Sequence, residues 1–129
     1  MQRHVEHATR YLQAVASGAT SFAEFLHPEV MFEELPNRVV PRGARSDLIA
    51  MQAAAERGQK LLRSQRYDVL SAVAEGERVV LEVAWEGILS VAFSSLKPGD
   101  ALRARCAMVF EFRDDRIVAQ RNYDCYEPF

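Results

Sequence analysis

The sequence has little cysteine and glycine, and it has no long hydrophobic run. Its two cysteines, Cys106 and Cys125, stand far apart and match neither a C-x-x-C pattern nor a zinc-binding pattern. No apolar run approaches the roughly 18 residues that a membrane-spanning helix needs. The sequence also carries no Gly-rich phosphate loop, nucleotide motif or metal-ligand cluster. It therefore predicts reduced thiols, no membrane contact, no bound metal and no cofactor.

The sequence also has no large excess of one charge, because its formal net charge is only −2. A basic surface of the kind that binds nucleic acid is therefore not expected. The first seven residues, Met-Gln-Arg-His-Val-Glu-His, lack the apolar core of a secretory signal, and together with the thiols they predict a cytoplasmic protein. With 49% hydrophobic and 26% charged residues, the 129 residues predict a single globular domain over 1–129.

The first half of the chain shows helical patterning. Apolar residues at helical spacing predict a helix over residues 2–17. An S-x-x-E capping box that begins at Ser21 predicts a short second helix, which His27-Pro28 would stop. A third helix is expected with Ser46 as its N-cap and Gly58 at its end.

Alternating apolar and polar residues predict strands in the rest of the chain. A short strand is expected over residues 29–35, and an antiparallel meander is expected over 64–74, 78–93, 101–113 and 116–126, with Asp114-Asp115 as its last turn. Apolar alternation predicts that Trp85, Cys106 and Met108 face the inside of this sheet. Early helices followed by an antiparallel sheet are typical of an α+β fold. Long strands in one sheet coil, and a coiled sheet that is closed by helices is expected to enclose a pocket.

Several short segments, taken in order, resemble the nuclear-transport-factor-2-like superfamily over essentially the whole chain. They are Arg10-Tyr11-Leu12, Ala16-Ser17-Gly18, the stretch 25–30, Trp85-Glu86-Gly87 and the closing stretch 112–117. Within this superfamily the chain is most similar to the SnoaL-like polyketide cyclases and the ketosteroid isomerases. The resemblance implies a cone-shaped fold, and it leaves the function open because this scaffold hosts many activities.

The resemblance also implies a set of catalytic positions. The isomerases use a tyrosine in helix 1, a carboxylate base on the first strand and a protonated aspartate on a central strand. These positions fall on Tyr11, Glu34 and Met108, and a methionine cannot donate a proton. SnoaL-like cyclases use an aspartate on the last strand, which falls on Asn122, with Asp124 two residues further on. The resemblance therefore implies Glu34 or Asp124 as the base and Tyr11 or Asn122 as a donor.

A third subfamily, the limonene epoxide hydrolases, needs an Asp–Arg–Asp trio. The matching positions fall near Val83, Trp85 and Asn122, and none of these side chains can activate water in that way. The resemblance therefore implies that epoxide hydrolysis is absent.

The orientation of the last strand is the main open question. Hydrophobicity alone would bury Ile117, Ala119, Tyr123 and Cys125, and it would leave Gln120, Asn122 and Asp124 in water. The register implied by the resemblance turns these last three toward the pocket instead. The remaining pocket residues are expected to be Phe32, Trp85 and Met108.

We expect this pocket to take a small, mostly apolar molecule that carries a carbonyl or a hydroxyl group. The predicted activity is an isomerase or cyclase reaction that uses carboxylate acid/base chemistry. The alternative is a domain of the same fold that binds a small ligand or a protein without catalysis. Ala107 and Val109, on the outer face of the sheet, predict a homodimer, an arrangement common among similar proteins.

Overall fold

A computed structural model describes residues 2–129. Two helices pack on a six-stranded mixed sheet that does not close into a barrel. The elements are α1 (Gln2–Ala16), β1 (Leu26–Glu34), β2 (Ala44–Ser46), α2 (Leu48–Leu61), β3 (Leu62–Glu75), β4 (Arg78–Leu89), β5 (Ala101–Arg113) and β6 (Arg116–Tyr126). The predicted α+β class is confirmed.

The strand order is β2-β1-β6-β5-β4-β3. Strands β3 to β6 form the predicted antiparallel meander, and β1 pairs with β6 in parallel. This one parallel pairing joins the first strand to the last, so that Glu34 is the Cα partner of Asn122. Residues that lie almost 90 positions apart in the sequence therefore become neighbours at one end of the sheet.

The core lies between α1 and the concave face of the sheet. Helix α1 buries Ala8, Tyr11 and Leu12 against inward residues of the sheet such as Val83 and Phe110. Burying an aliphatic or aromatic side chain of this kind contributes roughly 1.5–3 kcal/mol. The same apolar packing fixes α1 over the sheet and leaves a space between the sheet and the two helices.

The turn between β5 and β6 follows the sequence prediction. Asp114 and Asp115 have φ angles of 53° and 60°, which is the backbone of a two-residue hairpin. Aspartate tolerates this left-handed region better than most residues other than glycine. Both flanking strands have the predicted limits, 101–113 and 116–126.

The predicted short helix after Ser21 is wrong. The carbonyl of Phe22 accepts hydrogen bonds from the N–H groups of Phe25 and Leu26, at 2.9 and 2.8 Å, and this single turn leads directly into β1. Leu26 already pairs with Ile117 of β6. Pairing with a distant strand overrides the local capping signal, and His27 lies inside β1 rather than after a helix.

The limits of the second helix also differ from the prediction. Asp47, and not Ser46, is the N-cap, because its side chain accepts a 2.9 Å hydrogen bond from the N–H of Ala50. Ser46 instead ends the short strand β2, which the sequence analysis did not predict. The helix continues through Gly58 to Leu61, so Gly58 is an interior residue and not a cap.

Strand β4 ends at Leu89, four residues before the predicted limit. The Leu89 N–H donates to the carbonyl of Asp100 and the Leu89 carbonyl accepts from Gly99, so the chain leaves the sheet at this point. Both cysteines are free, as predicted. Among the described residues, no helix is long and apolar enough to cross a membrane.

Candidate functional site

A cavity of about 390 Å³ lies between the concave face of the sheet and the two helices. We call it the main chamber. It is lined by Tyr11, Leu12, Val15 and Phe22, by Met51, Ala54 and Ala55 of α2, and by inward residues of the sheet. A side chamber of about 220 Å³, which is lined by Trp85, Ala104, Cys106, Asp124 and Tyr126, adjoins it along the sheet. The two chambers share the residues Phe32, Glu34, Gln65, Tyr67, Met108 and Asn122.

All eight predicted site residues line one chamber or both. The main chamber holds Tyr11 and Gln120, the side chamber holds Trp85 and Asp124, and the shared wall holds Phe32, Glu34, Met108 and Asn122. The structure therefore brings these side chains together in one place. Their roles as catalytic or ligand-binding residues stay predictions.

A β-bulge decides the orientation of β6. Ile117 pairs with Phe112, and Ala119 pairs with Glu111, so Val118 has no partner on β5. The extra residue changes the parity of the strand, so Ile117 and Gln120 both face inward and are buried. Hydrophobicity therefore predicted the correct face for Ile117, and the resemblance predicted the correct face for Gln120, Asn122 and Asp124. Tyr123, which hydrophobicity alone would bury, is 46% exposed.

The loop after β1 holds the Glu34 carboxylate. Asn37 Nδ2 donates to Glu34 Oε2 at 2.8 Å and to the carbonyl of Leu35 at 3.0 Å. Asn37 Oδ1 accepts from the N–H groups of Val39 and Val40, at 2.9 and 2.8 Å. Because both ends of its amide are engaged, Asn37 fixes the loop and the carboxylate together.

Glu34 and Asp124 share an electrostatic environment. Burial raises the pKa of Glu34, the hydrogen bond from Asn37 lowers it, and the charge of Asp124 raises it. Burial raises the pKa of Asp124, while its hydrogen bond with Cys106 lowers it. Both carboxylates therefore hold their protons to a higher pH than usual. Because two like charges in one cavity oppose each other, ionisation of either carboxylate makes ionisation of the other harder.

Two buried acceptor atoms in this region have no hydrogen-bond partner among residues 2–129. They are Gln120 Oε1 and Asp124 Oδ1. Gln120 is only 4% exposed, and its Nε2 donates to Asn122 Oδ1 at 3.0 Å. Buried acceptors are nearly always paired in folded proteins, so each of these atoms marks a place where a partner is missing.

The aromatic residues around the cavity supply hydrogen-bond donors and form part of its apolar wall. Burial raises the pKa of Tyr11, so its phenol stays protonated. Its ring packs edge-on against Phe22, with centroids 5.6 Å apart. Trp85 Nε1 donates to Gln65 Oε1 at 3.0 Å, which fixes the indole at the side chamber.

The sequence analysis did not assign Gln65, Tyr67, Cys106 and Tyr126 to the site. Burial raises the pKa values of Tyr67 and Tyr126, so both phenols are donors at neutral pH. Burial also raises the pKa of the Cys106 thiol, so this group is a neutral neighbour of Asp124 rather than a nucleophile. Cys106 was on the predicted inward face of β5, whereas β3 shows no clear alternation that would mark Tyr67.

The described part of the chain contains no group of three or more histidine, cysteine, aspartate or glutamate residues placed to hold a metal ion. The chemical groups that do meet in the cavity are carboxylates, phenols and amides within apolar walls. A carboxylate next to hydrogen-bond donors in a partly dehydrated cavity can move a proton to or from a bound molecule.

Solved structures share this architecture. AclR from Streptomyces galilaeus, a proposed hydroxylase, superimposes with a TM-score of 0.78 at 17% identity, over 96% of this chain and 79% of AclR. IdmH from Streptomyces antibioticus, a proposed polyketide cyclase, has a TM-score of 0.78 at 19% identity, over 94% and 91% of the two chains. An epoxide hydrolase from M. tuberculosis resembling the limonene enzymes has a TM-score of 0.75 at 16% identity, over 98% and 84%. At these identities the likeness establishes the fold alone.

A search of curated protein sequences gives no match to this chain. The family model for the SnoaL-like domain matches residues 8–120, from Ala8 of α1 to Gln120 of β6. This match covers most of the chain and at least part of every helix and strand, and it ends two residues before Asn122. Together with the cone of helices and coiled sheet, it shows that the chain belongs to the SnoaL-like domain family.

Proposed function

We propose that this protein binds a small, mostly apolar ketone and moves a proton on the carbon beside the carbonyl, as an isomerase or cyclase would. The observation that carries the proposal is the pair of carboxylates, Glu34 and Asp124, in one cavity where burial raises both pKa values. Groups of this kind are often catalytic acids and bases. A similar fold that is described as a proposed polyketide cyclase fits this class of chemistry.

We assign different roles to the two carboxylates. Asp124 has an unpaired Oδ1, so in this proposal it is the base that accepts the proton from carbon. Burial and the charge of Asp124 raise the pKa of Glu34, so Glu34 is the group that donates a proton to the oxygen of the enolate that forms. Tyr11 is a second donor in the main chamber, and Asn122 lies between the two carboxylates on the shared wall.

The test is hydrogen–deuterium exchange of 2-tetralone, a two-ring ketone with acidic protons beside its carbonyl, followed by NMR in D2O. The wild-type protein should accelerate exchange over buffer, and Asp124→Asn should remove about a hundredfold or more of that acceleration. The rate should rise with pH as Asp124 ionises and fall as Glu34 loses its proton. The glutamine side chain of Glu34→Gln cannot lose a proton, so the exchange rate of this variant should no longer fall at high pH.

The matched control is Tyr123→Phe, which changes a residue of the same strand on the outer face of the sheet. It should exchange 2-tetralone at the wild-type rate. Equal rates for wild type and Asp124→Asn would contradict the assignment of the base. Tight binding of 2-tetralone without any exchange would favour the alternative, a ligand-binding domain without catalysis.

We also propose that the protein is a homodimer that pairs through the outer face of the sheet. Ala107 and Val109 lie on this face, where Tyr123 is the Cα partner of Ala107 and is 46% exposed. An apolar strip of this kind suits a symmetric interface. Sedimentation equilibrium should give twice the chain mass of 14.6 kDa, and Val109→Arg should give the monomer. A monomer at high concentration of the wild type would contradict the proposal.

A further inference from the structure

Gln120 carries an acceptor that the proposed proton transfer does not use. The residue is 4% exposed, and its Oε1 has no hydrogen-bond partner in the described part of the chain. Its Cα partners on the two neighbouring strands are Phe32 and Phe110, so aromatic residues flank it on both sides. The main chamber reaches Gln120 from the side of the helices.

The Gln120 amide contacts Asn122 through its nitrogen. Gln120 Nε2 donates to Asn122 Oδ1 at 3.0 Å, so the nitrogen is used and the oxygen remains. An amide oxygen only accepts, so its partner must be an O–H or N–H donor. A carbonyl or ether oxygen of a ligand cannot supply this bond.

The position of the amide also limits the length of the ligand. Residues two apart on one face of a strand are about 7 Å apart. Gln120 and Asp124 lie two such steps apart on the same face of β6, so their Cα atoms are about 14 Å apart. A ligand that reaches both side chains must therefore be elongated, as a rigid molecule of two fused rings is.

We propose that Gln120 Oε1 is a specificity site for a hydroxyl group, and that the ligand is a hydroxylated bicyclic ketone. The hydroxyl donates to Gln120, and the carbon beside the carbonyl lies at Asp124. This inference rests on the proposed function for the position of the ketone. The hydroxyl itself is assigned only from the unpaired amide oxygen.

The test compares three probes: 2-tetralone, 6-hydroxy-2-tetralone and 6-methoxy-2-tetralone. Binding is measured by calorimetry, which does not depend on turnover. The hydroxy compound should bind about tenfold more tightly than the other two, because only it satisfies the buried acceptor. Equal affinity for all three, or tighter binding of the methoxy compound, would overturn the inference.

Variants at Gln120 test the assignment directly. Gln120→Met keeps the length of the side chain and removes the acceptor, so it should bind all three probes with similar affinity. Gln120→Glu keeps an acceptor at the same distance and should retain the preference for the hydroxy compound. If Gln120→Met folds as judged by circular dichroism and still prefers the hydroxy compound, the site is elsewhere. If Gln120→Met does not fold, loss of the preference in Gln120→Glu overturns the inference.

The two proposals fail in different ways. Exchange of 2-tetralone that depends on Asp124, without any preference for the hydroxy compound, would leave the proposed function standing and reject the hydroxyl site. A tenfold preference that Gln120→Met abolishes, without any exchange, would support the hydroxyl site and reject proton transfer.

Discussion

Gly87 of β4 lies against the indole of Trp85. An ideal Cβ at this position would lie 2.7 Å from both Cη2 and Cζ2 of Trp85 and 3.0 Å from Leu62 Cδ2. Ordinary contacts of a Cβ start at 3.4 Å, so the ring would have to retreat by at least 0.7 Å. The indole nitrogen donates a hydrogen bond to Gln65, which is the Cα partner of Gly87. A methyl group at position 87 therefore competes directly with the position of Trp85.

Gly87→Ala should lower the free energy of unfolding. Adding one methyl group to a packed site costs about 1–3 kcal/mol. If the ring moves far enough to lose its bond to Gln65, about 1 kcal/mol of that cost comes from the lost hydrogen bond. Replacing glycine also gains stability by reducing the freedom of the unfolded chain, but by only about 0.4–1 kcal/mol. The expected net change is a loss of about 1–2 kcal/mol.

Gly58→Ala is the matched control. Gly58 lies within α2, and no heavy atom lies within 4 Å of the Cβ that alanine would add. The same substitution should therefore raise the free energy of unfolding, by about 0.5–1 kcal/mol. The new methyl group meets a packed ring at position 87 and open space in a helix at position 58, so the expected signs are opposite.

The assay is urea denaturation followed by tryptophan fluorescence. Trp85 is the only tryptophan of the chain, so its emission reports on the indole itself. Gly87→Ala should lower the urea midpoint and shift the emission of the folded state, and Gly58→Ala should raise the midpoint and leave the emission unchanged. A rise in stability for both variants, with no change in the emission of either, would refute the reasoning about Trp85.

Three further predictions follow from the site and the hairpin. Asn37→Asp keeps an acceptor for the loop but removes the donor to Glu34 and adds a negative charge, so the pKa of Glu34 should rise. The decrease of the exchange rate at high pH should then move to higher pH. A decrease at the same pH as in the wild type would contradict this. Asp124→Asn should stabilise the protein at neutral pH, because a raised pKa in the folded state means that the ionised form opposes folding. This gain in stability should shrink toward pH 3.8, the ordinary pKa of the group. Thermal melts of the variant and the wild type at both pH values check this. Replacing Asp114 and Asp115 by Asn-Gly should stabilise the hairpin by about 0.5 kcal/mol in urea denaturation, since both positions have a positive φ, and a loss of stability would contradict this.

Local patterns predicted the meander well. The alternation of β5 and β6 and the Asp114-Asp115 turn gave the limits of both strands, which the structure confirms. Alternation and turn chemistry depend on residues close in the sequence, so they can be recognised without the partner strand.

The site could be predicted in part. Apolar alternation placed Trp85 and Met108 on the inner face, and the resemblance to SnoaL-like proteins directed attention to Glu34 and Asp124. Hydrophobicity gave the wrong face for the end of β6, because the bulge at Val118 changes the parity of the strand. A bulge is defined by two residues facing one on the partner strand, so the sequence of β6 alone does not reveal it.

The tertiary structure decided the remaining features. The segment around Phe22 has a helical capping signal, but pairing of Leu26 with Ile117 converts its end into a strand. The unpaired oxygen of Gln120 and the raised pKa of Glu34 arise only when distant strands and helices exclude water from these side chains. Local patterns determined the limits of β5, β6 and the turn between them. Desolvation and strand pairing depend on which distant segments meet, because both are properties of the assembled surroundings.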